Sequence, residues 1–188
     1  MNLYLIRHGQ SVMNLEKRHS GWSMLPLTEK GFDDARRAGE KLAGIPFDRV
    51  YSSDLTRAVQ TAKTALPDYE PIQLPLIRER NCGHVMERYF DDCAAEHGDA
   101  YWQARNSSDW RPFGGDSPNM VRDRARDFLR MLENNPADNI AAFTHGGFMG
   151  HVLEQVLGFN LELSRFAIAN GAVIHLKYDE DHWRLIWE

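Results

Sequence analysis

The feature that most constrains this chain is an alternation of short apolar runs with stretches whose apolar residues recur at helical spacing. Leu3 to Ile6 is too short for a helix and reads as a buried strand. The polar stretch Gln10 to Lys17 after it starts a helix. Thr28 is placed as an N-cap, with Phe32, Ala35, Ala38 and Leu42 on one helical face. Val50-Tyr51 ends a second strand, and Ser52-Ser53-Asp54 supplies cap residues for a helix striped by Leu55, Ala58, Val59, Ala62 and Leu66. A short extended piece at Ile72 to Leu74 lies among Pro67, Pro71 and Pro75. Val121, Ala125, Phe128 and Leu132 mark another helix, which stops near Asn134-Asn135-Pro136. Ile140 to Thr144 reads as a strand, followed by a helix with Phe148, Val152, Leu153, Val156 and Leu157 on one face. From Phe166 onward, the Asn170-Gly171 turn signal and the acidic turn at Asp179 to Asp181 predict antiparallel strands closing one side of the sheet.

Strands alternating with helices predict an α/β fold, a three-layer α/β/α sandwich around a mixed, mostly parallel sheet. The 188 residues fit a single domain spanning 1–188. The stretch from Asn81 to Pro118 breaks the pattern, with weak periodicity and Tyr89, Phe90, Tyr101, Trp102, Trp110 and Phe113 scattered in and around it. It is expected to be an inserted lid (about 81–118) of short helices and loops.

Several function classes are disfavoured. A formal net charge of −5 lacks the basic footprint of nonspecific nucleic-acid binding. No apolar run is long enough to cross a membrane, and the start lacks a signal-peptide pattern, so a cytoplasmic protein is expected. Cys82 and Cys93 form no CxxC pair and are expected to be free thiols in a reducing compartment. Despite eight histidines there is no HExxH or other compact ligand spacing, and neither metal nor cofactor is expected.

Right-handed crossovers bring strand-to-helix junctions of a parallel sheet to one edge, where ligands bind. Three junctions carry chemistry: Ile6-Arg7-His8-Gly9-Gln10-Ser11, Ser52-Ser53-Asp54-Leu55-Thr56-Arg57, and Phe143-Thr144-His145-Gly146-Gly147. Arginine forks match phosphoryl oxygens. A neutral imidazole can attack phosphorus, and neighbouring arginines keep it neutral. A second histidine, protonated once phosphate is bound, can spread the developing charge. A carboxylic acid must protonate the leaving oxygen, and no step requires a metal. Taken singly, each signal has a bland reading: a histidine after a strand is more often structural, and Arg57 alone is a solvated helix arginine. Their agreement on one edge and one chemistry carries the argument.

These residues also form a pattern. Arg7-His8-Gly9 with Ser11 and Asn14 resembles the Arg-His-Gly-x-Ser/Thr-x-x-Asn signature of the histidine phosphatase superfamily, the phosphoglycerate mutase-like proteins. The likeness continues through Pro26-Leu27-Thr28-x-x-Gly31, Ser52-Ser53-Asp54-Leu55-x-Arg57-Ala58-x-Gln60-Thr61-Ala62, Arg78-Glu79 with Gly83, Gly115-Asp116-Ser117, and Thr144-His145-Gly146-Gly147. It spans nearly the whole chain. The resemblance implies an α/β sandwich with a mixed sheet and a small phosphorylated metabolite as substrate. It implies that His8 is the phosphorylated nucleophile and that Arg7, Arg57 and His145 form the phosphate pocket. Asn14 and the Gly146 backbone would be further donors, and Glu79 the general acid that later activates water.

Two departures fall at positions expected to face substrate. Many relatives continue the Glu79 block as Gly-x-Trp-Glu-Gly, where this chain has Gly83-His84-Val85-Met86-Glu87, and many carry an acidic residue where it has Met24. His84 is an alternative proton donor, although a loop histidine is usually just solvated. Arg88, Arg105 and Arg111 in the lid are candidates for binding a second anionic group, with Trp102 and Trp110 as packing residues. Hydrolysis of a phosphomonoester is the leading expectation. A cofactor-dependent phosphoglycerate mutase shares the phosphohistidine step, but the resemblance implies a longer lid and C-terminal region for it. A metal hydrolase and a catalytically silent phosphate-binding module are the readings from other classes.

Overall fold

In a computed structural model the described residues are 1–158 and 167–187. Phe166, from which the C-terminal strands were expected to begin, lies outside them. Six strands, β1 (Asn2–Arg7), β2 (Arg49–Ser52), β3 (Ile72–Gln73), β4 (Asn139–Thr144), β5 (Val173–Asp179) and β6 (His182–Ile186), form one sheet in the order β3-β2-β4-β1-β5-β6. The first four run parallel, with Arg7 of β1 opposite Thr144 of β4 and Ser52 of β2 opposite Phe143. The last two are antiparallel, pairing Leu3 with Leu176 and Leu176 with Leu185. The sheet is therefore mixed and mostly parallel, as expected.

Alternation along the central strands divides the core between two faces. Leu3 and Leu5 of β1, with Ile140 and Ala142 of β4, pack with α5 (Pro118–Glu133) and α6 (Gly146–Leu157) through Phe128, Leu132, Phe148 and Val152. Ile6, Ala141 and Phe143 face the opposite way, toward Ala38 and Leu42 of α2 (Glu29–Leu42) and Ala62 of α3 (Thr56–Ala65). Phe128 and Phe148 are both fully buried, so truncating either to alanine would cost about 3–5 kcal/mol. The three layers follow from this two-sided burial.

Local chemistry explains most element starts and corrects one. Thr28 caps α2, its side chain accepting from the Gly31 amide at 3.1 Å. After β1, the helix α1 (Val12–Leu15) is a single turn closed by a reciprocal Ser11–Asn14 capping box. Ser52-Ser53-Asp54 does not cap α3: Leu55 occupies the N-cap and makes no side-chain bond. The Asp54 carboxylate instead pairs with the Arg78 guanidinium.

The lid is more ordered than its sequence suggests. It contains α4 (Phe90–Ser107), whose helical path is broken at Gly98, where φ is +51° and ψ −128°. Cys82, Val85, Cys93, Tyr101, Ala104, Trp110 and Phe113 give it a small core of its own. Trp110 packs there as expected, whereas Trp102 is exposed. Both cysteines are free and buried.

Candidate active site

The three junctions converge. His8 follows β1, Arg57 sits in the first turn of α3, and His145 is the N-cap of α6. Beside them is a cleft of about 520 Å³ lined by Arg7, Asn14, Glu79, Gly146 and Gly147, with the lid opposite. His8 is only 3% exposed and lies behind the cleft lining, next to Arg7, which does line it.

Two contacts set the state of His8. Its Nδ1 lies 2.7 Å from the Gly9 carbonyl, which can only accept, so Nδ1 carries the proton. Its Nε2 lies 3.2 Å from Arg57 Nε, which can only donate, so Nε2 carries the lone pair. Burial, then Arg57 and Arg7, push the His8 pKa well below the ordinary histidine value, against a smaller opposing effect of the Gly9 carbonyl. The Asn170 side chain donates to the His8 carbonyl at 2.9 Å, and Thr61 Oγ1 accepts from the Gly9 amide at 3.1 Å. Gly9 is required by packing: a Cβ there would stand 2.1 Å from the Gly31 carbonyl oxygen at the start of α2.

Arg57 is 1% exposed and lies against His8, with Nη1 donating to the Ser23 carbonyl at 2.9 Å and Nη2 to that of Gly21 at 2.8 Å. Burial pushes its pKa down to about 10, which leaves it cationic at neutral pH. The ring of His145 meets that of His8 edge-on at 5.1 Å. His145 is fully buried, and neither of its ring nitrogens finds a partner. Its pKa is held well below the ordinary value by burial and by Arg57, His8 and Arg7, so it is neutral in the empty site. Arg7 donates through Nη1 to the Ile168 carbonyl, while its buried Nε has no partner. The orphaned His145 ring, which offers one N–H when neutral, and the unpartnered Arg7 Nε mark where an anion's oxygens would be bound. Asn14 uses its Oδ1 on the Ser11 amide, so its amide donors remain for the cleft.

Glu79 accepts from the Arg80 amide at 2.9 Å and from the Gly147 amide at 3.0 Å. Burial raises its pKa, but Arg80, these two amides and Arg57 together outweigh it, and the carboxyl is held below its ordinary value. Glu79 is thus ionised at neutral pH. Glycine at 147 allows this contact, since a Cβ there would lie 2.3 Å from Glu79 Oε1. Gly146 lines the cleft in the first turn of α6, where amides have no helical acceptor.

Residues not assigned a role from sequence hold Glu79 in place. Trp22 Nε1 donates to its carbonyl at 2.7 Å, and Arg124 Nη2 does so at 3.2 Å. Arg124 also binds the carbonyls of Leu76 and Arg78 and the Asp116 carboxylate. Apart from that carboxylate, these bonds go to backbone oxygens, which carry no residue identity, so no sequence signal points to them. Of the lid arginines, Arg105 lines the cleft, whereas Arg88 is paired with Glu96 and Arg111 with Asp109. Met24 and His84 are both exposed, and neither is among the residues lining the cleft. Among the described residues no group of three or more His, Cys, Asp or Glu side chains is arranged to hold a metal ion. No described helix is long and apolar enough to cross a membrane.

Comparison with known proteins identifies the family and the fold. A family model described as the histidine phosphatase superfamily (branch 1) matches residues 3–187. The chain is 34% identical over 166 residues to a 2,3-bisphosphoglycerate-dependent phosphoglycerate mutase 2 of Gloeobacter violaceus, covering 82% of this chain and 74% of that protein. It is 30% identical over 192 residues to the adenosylcobalamin/alpha-ribazole phosphatase of Escherichia coli, covering 99% and 89%. Among solved structures, a putative alpha-ribazole-5'-P phosphatase from Escherichia coli superposes with a TM-score of 0.88 at 27% identity, covering 99% of this chain and 94% of that one.

Proposed function

We propose that this chain, which belongs to the histidine phosphatase superfamily (branch 1), hydrolyses small phosphomonoesters through a phosphohistidine formed at His8. The observation that carries the reading is the tautomer of His8: Nδ1–H is committed to the Gly9 carbonyl, leaving the Nε2 lone pair as the nucleophile. Relatives named as phosphatases support the reaction class.

The steps follow from the side chains. An incoming phosphoryl group takes up the donors of Arg7 and Asn14 and draws Arg57 Nε away from His8 Nε2. The dianion's charge raises the pKa of both Glu79 and His145, so Glu79 acquires the proton it must give and His145 becomes a cationic donor. Nε2 then bonds to phosphorus, the ester P–O bond breaks, and the leaving oxygen takes the proton from Glu79. In the second half, the Glu79 carboxylate removes a proton from water. The water oxygen bonds to phosphorus, the P–N bond breaks, and neutral His8 is restored with inorganic phosphate. These residues supply the nucleophile, the acid and the charge, so the proposal includes no metal. A cytoplasmic, reducing setting belongs to the same reading and is supported by the two unpaired thiols.

A mutase is the second reading, favoured by the likeness to the Gloeobacter protein. One experiment separates the two: steady-state release of phosphate from a panel of phosphorylated metabolites and an aryl phosphate, with EDTA, beside His8→Ala. The expected result is chelator-resistant hydrolysis that the substitution abolishes. Transfer only in the presence of a bisphosphorylated primer, without net release, would replace hydrolysis by the mutase reaction.

A further inference from the structure

The residues assigned to the phosphate pocket are only part of the cleft lining. Arg7, Arg18, Arg80 and Arg105 all line it, against the single carboxylate of Glu79. In a chain of net charge −5 this is a strong local excess of positive charge. Arg18 is offset by Glu16, at 2.9 Å. Arg105 has no carboxylate partner among the described residues, and its one hydrogen-bond acceptor there is the neutral Tyr101 hydroxyl, 3.0 Å from Nη1.

Arg105 is also held in place. Tyr101 lies one helical turn earlier on α4, is fully buried, and its hydroxyl is 3.1 Å from His19 Nε2. Burial, then the charge of Arg105, pushes the His19 pKa down to about 4, so His19 is neutral. The Tyr101 hydroxyl is thus held between the Arg105 guanidinium and the His19 ring. The Phe90 ring supports the guanidinium from the other half of α4, with Cζ 4.3 Å from the ring centroid. His19 is itself wedged edge-on between Phe90 and Trp110. One Nη of Arg105 is committed to this scaffold, and the rest of the fork remains for a ligand. A pre-ordered guanidinium loses little freedom on binding, which distinguishes it from a solvated surface arginine.

We propose that Arg105, seated on Phe90 and braced by Tyr101 and His19, forms a second anion subsite in the cleft. The substrates are then phosphomonoesters that carry another anionic group, a carboxylate or a second phosphate. The catalytic part of this inference rests on the phosphatase reading of the same cleft.

The test compares compounds that differ only in the second anion: phosphoserine against phosphoethanolamine for a carboxylate, and the bisphosphate of propanediol against its monophosphate. In the wild-type protein kcat/KM should favour the doubly anionic member of at least one pair by about 10-fold or more, the scale of one charge-assisted hydrogen bond. Arg105→Met should remove that preference while leaving the singly anionic member within about 3-fold, and Arg105→Lys should restore part of it. The pair that responds identifies the anion. A binding arm, free of turnover, measures the same pairs by calorimetry on His8→Ala and on the His8→Ala/Arg105→Met double variant. Hydrolysis with no preference in either pair would overturn the subsite and leave the phosphatase reading intact. A preference in binding that Arg105→Met removes, without turnover of any ester, would keep the subsite and reject the phosphatase reading. Equal loss on both members of a pair in Arg105→Met would also overturn the subsite.

Discussion

Two hydrogen bonds decide what His8 is in the empty site, and neither involves another ionisable acid or base that could take its proton. The Gly9 carbonyl fixes the tautomer, and Arg57 Nε covers the lone pair, which the proposed reaction requires a phosphoryl group to uncover. Glu79 is prepared in the opposite sense. It is held ionised by the Arg80 and Gly147 amides and by nearby arginines, so the acid role proposed for it requires an anion to enter first. Glu79→Gln can keep only one of the two amide contacts, because its NH2 cannot accept from the other, and it has no acidic proton to give. An alkyl phosphate, whose leaving oxygen needs protonation, should then be hydrolysed about 10²- to 10⁴-fold more slowly. An activated aryl phosphate should change much less in the phosphorylation half. Equal slowing of both substrates, with phosphorylation followed by single turnover, would remove Glu79 from the role of leaving-group acid. The residues themselves were legible in the sequence because His8, Arg57, Glu79 and His145 stand in recognisable blocks. Their supports were not: Arg57 is fixed by the carbonyls of Gly21 and Ser23, and Glu79 by donors to its own carbonyl.

The elements of the sandwich were readable wherever one period held. β1 and β4 alternate between two buried faces, and α2 and α5 keep an apolar stripe along their length. The lid was harder to read, because Gly98 resets the helical phase in the middle of α4 and the lid core draws on residues from several short pieces. Asp54 looked like a helix cap, but its carboxylate gains more from the Arg78 guanidinium beside the Glu79 loop. That loop is tied to α5 through Arg124, which makes bonds to Leu76, Arg78, Glu79 and Asp116. Arg124→Met should preserve the aliphatic packing and release the loop. Stability should fall by about 1–3 kcal/mol in a denaturant titration. The value of kcat should fall on the order of 10- to 100-fold through displacement of the catalytic carboxyl. An unchanged kcat in a less stable protein would make Arg124 a purely structural strut.

At the scale of the whole molecule, placing uncharged histidines in the interior makes stability depend on pH. His8, His19, His145 and His151 all have pKa values lowered by burial, His19 to about 4. In the unfolded chain these groups bind protons as pH falls through the ordinary histidine value, while the folded protein resists. The unfolded state therefore holds more protons, and stability must decrease as pH falls below about 6.5. Each histidine whose folded pKa lies well below 5.5 should cost about 1 kcal/mol between pH 7.5 and 5.5, read as a shift in the denaturant midpoint. A midpoint that is flat or rises over that interval would mean these side chains are charged in the folded protein.

The central claim is the covalent bond at His8 Nε2. It is tested most directly by mixing the protein with an activated aryl phosphate, quenching under alkaline conditions that preserve phosphohistidine, and mapping the modified peptide by mass spectrometry. The expected result is a single phosphoryl group on His8 that forms before steady state, decays as phosphate is released, and is absent from His8→Ala. Hydrolysis with no phosphorylated peptide in the pre-steady-state window, or a phosphoryl group on another residue that persists in His8→Ala, would contradict it.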